Sequence, residues 1–257
     1  MQRVFIAGAP RTGSMWTYNV TRALLEKEGF DLIPREIPTS ELDLIEEAFA
    51  KAIGPGRIYC IKTHKLLKCD LNDTKIITNY RDVRDSMLSF MKFMRLEKTD
   101  NFFDTAMKII KGQMTTTDYY FTHFTTNLRI RYDDIVSEPM GVIKLINKYL
   151  GLKVGQRQML VIEERFSKKN VKKLLSNLDK VAVSKQGEIK DDKSSVHYDT
   201  VRNRDGTYRI FDKKTAFQTY HITEQGSRNW KDYFSSEQQD EINNAVSDWL
   251  VKYGFTI

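Results

Sequence analysis

The chain has 257 residues, of which 40% are hydrophobic, and a formal net charge of +7. This length and composition can form one substantial core, so we expect a single domain over residues 1–257. The composition excludes a secreted disulfide scaffold, because Cys60 and Cys69 are too few and lack zinc-binding spacing, and we interpret both as reduced thiols.

The first predicted element is a strand from Arg3 to Ala7, which leads into a tight Gly/Pro turn and a helix from Met15 to Glu28. Backbone N–H groups in such a turn, together with the helix N-terminus, hold an anion. Arg11 and Ser14 can add charge-assisted hydrogen bonds. The turn lacks the Gly-Lys-Ser/Thr ending of a Walker A loop. We therefore predict a phosphate-binding loop of another kind.

Strands and helices alternate along the first part of the chain. The further predicted strands run from Arg57 to Thr63, from Lys75 to Tyr80 and from Asn127 to Tyr132. The further predicted helices run from Val83 to Met94 and from Pro139 to Leu150, with Gly151 as a left-handed cap. This alternation predicts an α/β fold, a P-loop-like doubly wound parallel sheet of about four to five strands flanked by helices.

Lys62-Thr63-His64 closes the second of these strands, and the period of two places Lys62 and His64 on one face. An isolated Lys-x-His is most often a solvated lysine beside a surface histidine. Ligands of doubly wound sheets bind beyond the carboxyl ends of the strands, where the loops that carry Arg11, His64 and Arg81 converge. There the pair supplies a cation and a base with an ordinary pKa near 6.5, which suits proton abstraction. We predict His64, Lys62 and Arg11 as catalytic residues.

Arg81 stands at the end of the next strand and Ser89 follows inside a helix. The fork of an arginine is well suited to a terminal phosphate. Arg84 and Asp85 are interpreted as a solvated helix start with local ion pairs.

Polar and charged residues dominate the segment from Ser184 to Thr219 and surround Asn203-Arg204-Asp205-Gly206. We predict a hairpin with an Asp-Gly turn inside a mobile surface excursion, acting as a flap over an acceptor pocket. The alternative is a solvated loop without a catalytic part. His197, Tyr198 and Tyr208 are the candidates for acceptor contacts. A last helix begins at Ser235 or Ser236 and ends before Gly254.

Several of these motifs together resemble the PAPS-dependent sulfotransferases of the small, soluble, cytosolic type. Pro10-Arg11-Thr12-Gly13-Ser14-Met15-Trp16 is similar to the family's 5′-phosphosulfate loop, Pro-Lys-Ser-Gly-Thr-Thr-Trp. Lys62-Thr63-His64 resembles the active-site Lys-Thr-His, and Arg81 and Ser89 match the family's 3′-phosphate-binding Arg and Ser. Met15 replaces a hydroxyl residue of the usual loop, which removes one side-chain contact.

Arg131-Tyr132-Asp133-Asp134-Ile135 resembles the segment whose tyrosine lies near the adenine in this family. Trp16 occupies the position of the family's adenine-stacking tryptophan, although filling the core is an equal alternative. Gly226-Ser227-Arg228-Asn229-Trp230-Lys231 resembles the tail of the family's Arg-Lys-Gly-x-x-Gly-x-Trp-Lys loop. Thr223, Glu224 and Gln225 stand where Arg-Lys-Gly would be, so the second set of 3′-phosphate contacts is left open, with Arg228 and the backbone around Gly226 as substitutes.

The resemblance implies transfer of a sulfuryl group from PAPS to a hydroxyl or amine of a small molecule, releasing adenosine 3′,5′-bisphosphate without a metal. The cofactor-binding residues that it implies are Arg11, Thr12, Gly13, Ser14, Met15, Trp16, Arg81, Ser89, Tyr132, Gly226, Ser227 and Arg228. The acceptor is open: a phenol, a sugar hydroxyl or an alkaloid-like compound of natural-product biosynthesis all fit.

Two other functions keep the same loop. One is an ATP-dependent P-loop kinase of a small molecule, which needs a Lys-Ser/Thr after the loop and a carboxylate for magnesium. The other is a non-catalytic nucleotide- or RNA-binding module. The positive charge favours anionic ligands, but it is spread along the chain without a nucleic-acid-binding motif, so we expect no nucleic-acid partner. Without a signal peptide or a long apolar run, we expect a cytoplasmic protein with no membrane partner. A homodimer is left open.

Overall fold

A central parallel sheet organises the protein, of which the computed structural model describes residues 1–37, 42–68, 73–96, 101–190, 196–203, 205–219 and 229–257. Its strands are β1 (Arg3–Ala7), β2 (Asp31–Ile33), β3 (Arg57–Thr63), β4 (Thr74–Tyr80) and β5 (Leu128–Arg131). They lie in the order β2-β3-β1-β4-β5, and all four pairings are parallel. The predicted α/β fold class is confirmed, and the short edge strand β2 joins the four predicted strands.

Helices cover both faces of this sheet. They are α1 (Ser14–Glu28), α2 (Leu42–Ala50), α3 (Val83–Phe93), α4 (Phe102–His123), α5 (Tyr132–Ser137), α6 (Pro139–Leu150), α7 (Gln156–Arg165), α8 (Lys168–Leu178) and α9 (Ser236–Lys252), with a short 3-10 helix at Asn229–Tyr233. Gly151 caps α6 in the left-handed conformation and Ser235 caps α9, as predicted.

The burial of β1 explains its hydrophobic sequence. Val4 and Ile6 belong to the core beneath α1 and α6, whereas Phe5 and Ala7 belong to the core on the opposite face. A parallel strand that is covered on both sides needs apolar side chains at every position, which produces a continuous run instead of an alternation.

Arg84 is buried, so the sequence-based interpretation of this residue as solvated is wrong. Its guanidinium forms a 2.7 Å ion pair with Asp82 and also donates to the Asn243 side chain at 2.8 Å and to the Thr256 carbonyl at 2.7 Å. Asp85 is buried as well. The ion pairing is local, as predicted, but α9 and the C-terminal residues exclude water from it.

The hairpin predicted within 184–219 is present as β6 (Tyr198–Arg202) and β7 (Tyr208–Asp212), which pair antiparallel around a turn that contains Gly206. The second strand of the hairpin does not lie in a surface excursion, in contrast to the prediction. Its residues Ile210 and Phe211 belong to the main hydrophobic core, which is the cluster that contains Val4 and Ile6. The apolar residues of β7 therefore anchor the hairpin to the body of the protein.

The sheet order determines where the loops meet. From β1 the chain proceeds to β2 and β3 on one side, and β4 then pairs with the other edge of β1. The carboxyl end of β1 is therefore a topological switch point, where open α/β sheets form a ligand-binding crevice. The loops after β1, β3 and β4 border it, and these loops carry Arg11, His64 and Arg81.

Cys60 is a buried free thiol, and burial raises its pKa to about 12, while Cys69 lies outside the described residues. Among the helices in the described ranges, none is long and apolar enough to cross a membrane.

Candidate active site

The loop between β1 and α1 has the backbone of an anion-binding turn. Arg11 adopts a positive φ of 65° and Gly13 one of 90°, directly before the first turn of α1. A positive φ is uncommon for a residue with a side chain and is typical of functional turns. The Thr12 hydroxyl donates to the Ala9 carbonyl at 2.9 Å and so holds the turn closed. Ser14, at the start of α1, is buried beside it.

Gly13 lies against Tyr132, and this close approach requires a glycine. A Cβ atom at position 13 would lie 2.8 Å from the Ile135 side chain and 3.1 Å from the Tyr132 ring. The Tyr132 ring also contacts Arg81, whose guanidinium carbon lies 4.2 Å from the ring centroid. The structure thus brings together three residues that sequence reasoning placed at one nucleotide site.

Lys62 and His64 also meet, at the carboxyl end of β3. Lys62 Nζ lies 3.2 Å from His64 Nε2, and His64 Nδ1 lies 2.8 Å from the Gly8 carbonyl oxygen. A carbonyl oxygen can only accept a hydrogen bond, so we assign the ring proton to Nδ1. The unprotonated Nε2 therefore accepts from the Lys62 ammonium group, and Nε2 is the atom that can take a proton.

The surroundings of His64 keep the imidazole neutral. Burial lowers the pKa of His64 to about 3, and the charge of Lys62 adds to this effect, while the hydrogen bond to Gly8 opposes it. Desolvation and a neighbouring cation both disfavour the protonated ring. At neutral pH His64 is therefore available as a base.

Arg11 connects the phosphate loop to α3. Its Nε donates to Ser89 Oγ at 3.1 Å, and its guanidinium carbon lies 4.8 Å from the Phe93 ring centroid. Burial and then the charge of Arg81 lower the pKa of Arg11 to about 10. A carboxylate, Asp85, lies 3.9 Å from Arg81. The predicted 5′ and 3′ phosphate residues thus form one cationic cluster at the switch point, which is arranged to receive an anion.

Met15 and Trp16 lie on the first turn of α1 and are partly buried against the main core. The Trp16 indole N–H donates to the Phe166 carbonyl at 3.1 Å. This bond fixes the Trp16 ring at the junction of α1 and the end of α7. The packing of Trp16 against the core agrees with the core-filling role that the sequence offers as the alternative to adenine stacking.

The three predicted acceptor residues have separate surroundings in and around the hairpin. His197 is exposed, and Tyr198 packs against the main core. The Tyr208 ring covers Gly187, where a Cβ atom would lie 2.4 Å from it. The remaining predicted contacts, Gly226, Ser227 and Arg228, lie outside the described residues.

Sequence reasoning missed two side chains that contact this region. Gln113 of α4 accepts from the Ser86 hydroxyl at 2.5 Å and donates weakly to the Pro10 carbonyl at 3.4 Å. These two hydrogen bonds link α3 and α4 to the phosphate loop. Arg209 of β7 places its guanidinium carbon 4.4 Å from the Phe93 ring centroid. Neither belongs to a motif, and their position depends on how distant elements pack. In the ranges that the structure covers, no group of three or more His, Cys, Asp or Glu could hold a metal.

The chain is similar in sequence to known sulfotransferases. Residues 1–254 match the family model described as a sulfotransferase domain. A flavonol 4′-sulfotransferase of Flaveria chlorifolia is 22% identical over 285 residues, covering 99% of this chain and 81% of the relative. A flavonol 3-sulfotransferase of Flaveria bidentis is 21% identical over 283 residues, covering 99% of this chain and 83% of the relative.

Solved structures that share the fold include two complexes with PAP. Mouse sulfotransferase SULT7A1 complexed with PAP superposes with a TM-score of 0.64 at 17% identity, covering 97% of this chain and 84% of that chain. Retinol dehydratase in complex with androsterone and the inactive cofactor PAP superposes with a TM-score of 0.62 at 18% identity, covering 97% and 81%. At such identities the likeness is one of fold alone.

Proposed function

The chain belongs to the sulfotransferase family, and we propose that it transfers the sulfuryl group of PAPS to a hydroxyl or amine of a small molecule with His64 as the general base. The observation that carries this proposal is the pair of His64 and Lys62 at the carboxyl end of β3. The His64 ring carries its proton on Nδ1, and the pair lies beside the phosphate loop, where His64 contacts the Gly8 carbonyl.

In the proposed reaction the acceptor oxygen or nitrogen attacks the sulfur of PAPS while its proton passes to His64 Nε2. The bond between sulfur and the bridging oxygen breaks in line, and the electron pair stays on that oxygen as adenosine 3′,5′-bisphosphate leaves. Gly8 keeps the proton on Nδ1, so the base needs no tautomer change before the transfer. A base positioned in this way contributes typically about 10²- to 10⁴-fold.

Lys62 and Arg11 have the second role, which is to neutralise charge. As the bridging bond breaks, negative charge grows on the leaving phosphate and on the sulfuryl oxygens. An ammonium group next to Nε2 and a guanidinium group on the phosphate loop place two cations around this centre. Such transfers depend mostly on positioning and electrostatic stabilisation, and losing one donor of this kind costs about 3 kcal/mol of transition-state stabilisation.

The nucleotide is held on either side of this centre. We propose that Ser14 and the loop N–H groups from Thr12 to Met15 bind the 5′-phosphosulfate. Arg81 and Ser89 bind the 3′-phosphate. Tyr132, which contacts both Gly13 and Arg81, lies beside the adenine together with Trp16 in this proposal. Gly226 to Arg228 complete the nucleotide site in this proposal.

The acceptor is proposed to be a small molecule with a hydroxyl group. The relatives are by name flavonol sulfotransferases, and one structural neighbour is a complex with androsterone, so phenols and apolar alcohols are the first acceptors to test. We propose a cytoplasmic location and no nucleic-acid partner.

A transfer assay with labelled PAPS and a panel of acceptors tests this function. Replacing the proposed base, as in His64→Gln, should lower turnover by about 10²- to 10⁴-fold while the affinity for adenosine 3′,5′-bisphosphate stays nearly unchanged. His123→Gln, at an exposed histidine of α4, is the matched control and should retain activity. Near-normal turnover of His64→Gln would make His64 a bystander.

Ligand binding distinguishes this function from the two alternatives. Adenosine 3′,5′-bisphosphate should raise the melting temperature far more than AMP or ADP, because a ligand of the native state stabilises it by mass action. An equal shift with ATP and magnesium would indicate a kinase. A steeply salt-dependent affinity for RNA would indicate a binding module.

A further inference from the structure

Arg209 is a buried cation without a hydrogen-bond or ion-pair partner in the part of the chain that the structure describes. The residue is only 8% exposed, and its Nε and Nη1 atoms have no hydrogen-bond partner among the described residues. Among these described residues, no carboxylate forms an ion pair with Arg209. Leaving a buried charge unpaired is expensive, so such a group is expected to serve a ligand that is absent from the free protein.

The position of Arg209 indicates which ligand. Its guanidinium group and that of Arg11 both stack on the ring of Phe93, at 4.4 and 4.8 Å from the centroid. Phe93 follows Ser89 by one turn of α3, and Arg11 Nε donates to the Ser89 hydroxyl at 3.1 Å. Arg209 therefore extends the cationic cluster beyond Arg11, at the Phe93 ring one turn of α3 after Ser89.

The hairpin holds Arg209 in this place. Arg95, just beyond the end of α3, forms a 2.6 Å ion pair with Asp205 and donates to Thr207 at 2.7 Å in the turn between β6 and β7. On the other side, Ile210 and Phe211 are buried in the main core. The hairpin thus joins the end of α3 to the body of the protein, with Arg209 between the two attachments.

We propose that Arg209 is a specificity-determining residue that binds the 3′-phosphate of the nucleotide together with Arg81 and Ser89. This inference rests on the proposed function. It assigns to the hairpin a contact that the segment Thr223-Glu224-Gln225 cannot supply with a cation. Two arginine forks suit a phosphate dianion, since each can donate two parallel hydrogen bonds.

A comparison of two ligands with two variants tests this assignment. Adenosine 3′,5′-bisphosphate and AMP differ by the 3′-phosphate alone, and calorimetry can measure both. Arg209→Met should weaken the binding of the bisphosphate by about tenfold or more and leave AMP unchanged, as expected for charged hydrogen bonds. Arg202→Gln, at an exposed arginine of β6, is the matched control and should change neither affinity. An equal loss for both ligands, or no loss for either, would overturn the assignment.

Stability separates this role from a structural one. Methionine keeps apolar bulk against Phe93 and removes an unpaired buried charge, so the melting temperature of the free variant should be equal to or above that of the parent. A lower melting temperature with an unchanged ratio of the two affinities would show a structural residue and contradict the proposal. If the parent itself binds AMP as tightly as the bisphosphate, the protein has no 3′-phosphate site, and the proposed function fails together with the assignment of Arg209.

Discussion

His64 shows how a single residue combines availability as a base with an unfavourable environment. Its ring is fixed by Gly8 on one side and faces the Lys62 ammonium group on the other. The low pKa keeps the ring neutral at neutral pH, at the cost of a weaker base, and the positive charge of Lys62 beside Nε2 is one of its causes.

The same pKa predicts a pH dependence of stability. The unfolded chain protonates His64 near pH 6.5, whereas the folded protein does so only near pH 3. The unfolded state therefore binds the extra proton in this window, and stability that is fully present above pH 6.5 is lost as the pH falls, by roughly 1.4 kcal/mol per pH unit at most. His64→Gln should show a smaller loss between pH 7 and pH 5 in urea unfolding. Parallel curves for variant and parent would contradict this.

At the scale of elements, the sequence predicted the sheet better than the helices. β1 and β3 match their predicted bounds, because buried parallel strands are short apolar runs between turn residues. β2 has only three residues, which is too few for a pattern. α4 was missed although it has 22 residues, since its buried positions include Gln113 and Thr117 besides Ala106, Ile110 and Tyr120, and polar groups blur the helical period.

The site divides in the same way. Residues of local motifs, such as Gly13, Lys62, His64 and Arg81, could be predicted because one loop or strand end fixes each position. The position of Arg209 could not be predicted from the sequence. The residue lies on β7, far along the chain from α3, and its side chain reaches Phe93 of α3 only through tertiary packing. The solvated interpretation of Arg84 failed for a related reason, since the residues that cover it come from the end of the chain.

The hairpin carries a prediction of its own about the acceptor. Because Ile210 and Phe211 are part of the core, deleting the hairpin would damage the fold, and point substitutions on β6 and the residue before it are the better test. His197→Ala should raise the acceptor KM about fivefold, the equivalent of one hydrogen bond of about 1 kcal/mol, with the affinity for adenosine 3′,5′-bisphosphate unchanged. Arg202→Gln, at the end of the strand that follows His197, serves as the control. An unchanged acceptor KM would leave His197 as a solvated residue.

At the scale of the whole molecule, the site depends on contacts between its first and last parts. Arg81 lies just before α3 and Ser89 lies within it, and α3 packs against α4, the 3-10 helix and α9 in a separate hydrophobic cluster. Trp230 and Trp249 belong to this cluster. The C-terminal helix therefore fixes the direction of α3, and through it the spacing between the phosphate loop and the residues proposed for the 3′-phosphate.

Arg84 is the polar centre of this arrangement and provides the test. Its guanidinium joins Asp82 at the start of α3 to Asn243 of α9 and to the carbonyl of Thr256, and its side chain is only 7% exposed. Arg84→Leu leaves these acceptors without their donor, so we expect a loss of about 3–5 kcal/mol in the free energy of unfolding. Arg35→Leu removes an ion pair of similar length whose arginine side chain is 81% exposed, and should lose at most about 1 kcal/mol. Urea unfolding measures both, and similar losses would mean that packing of the aromatic residues alone holds α9 against α3.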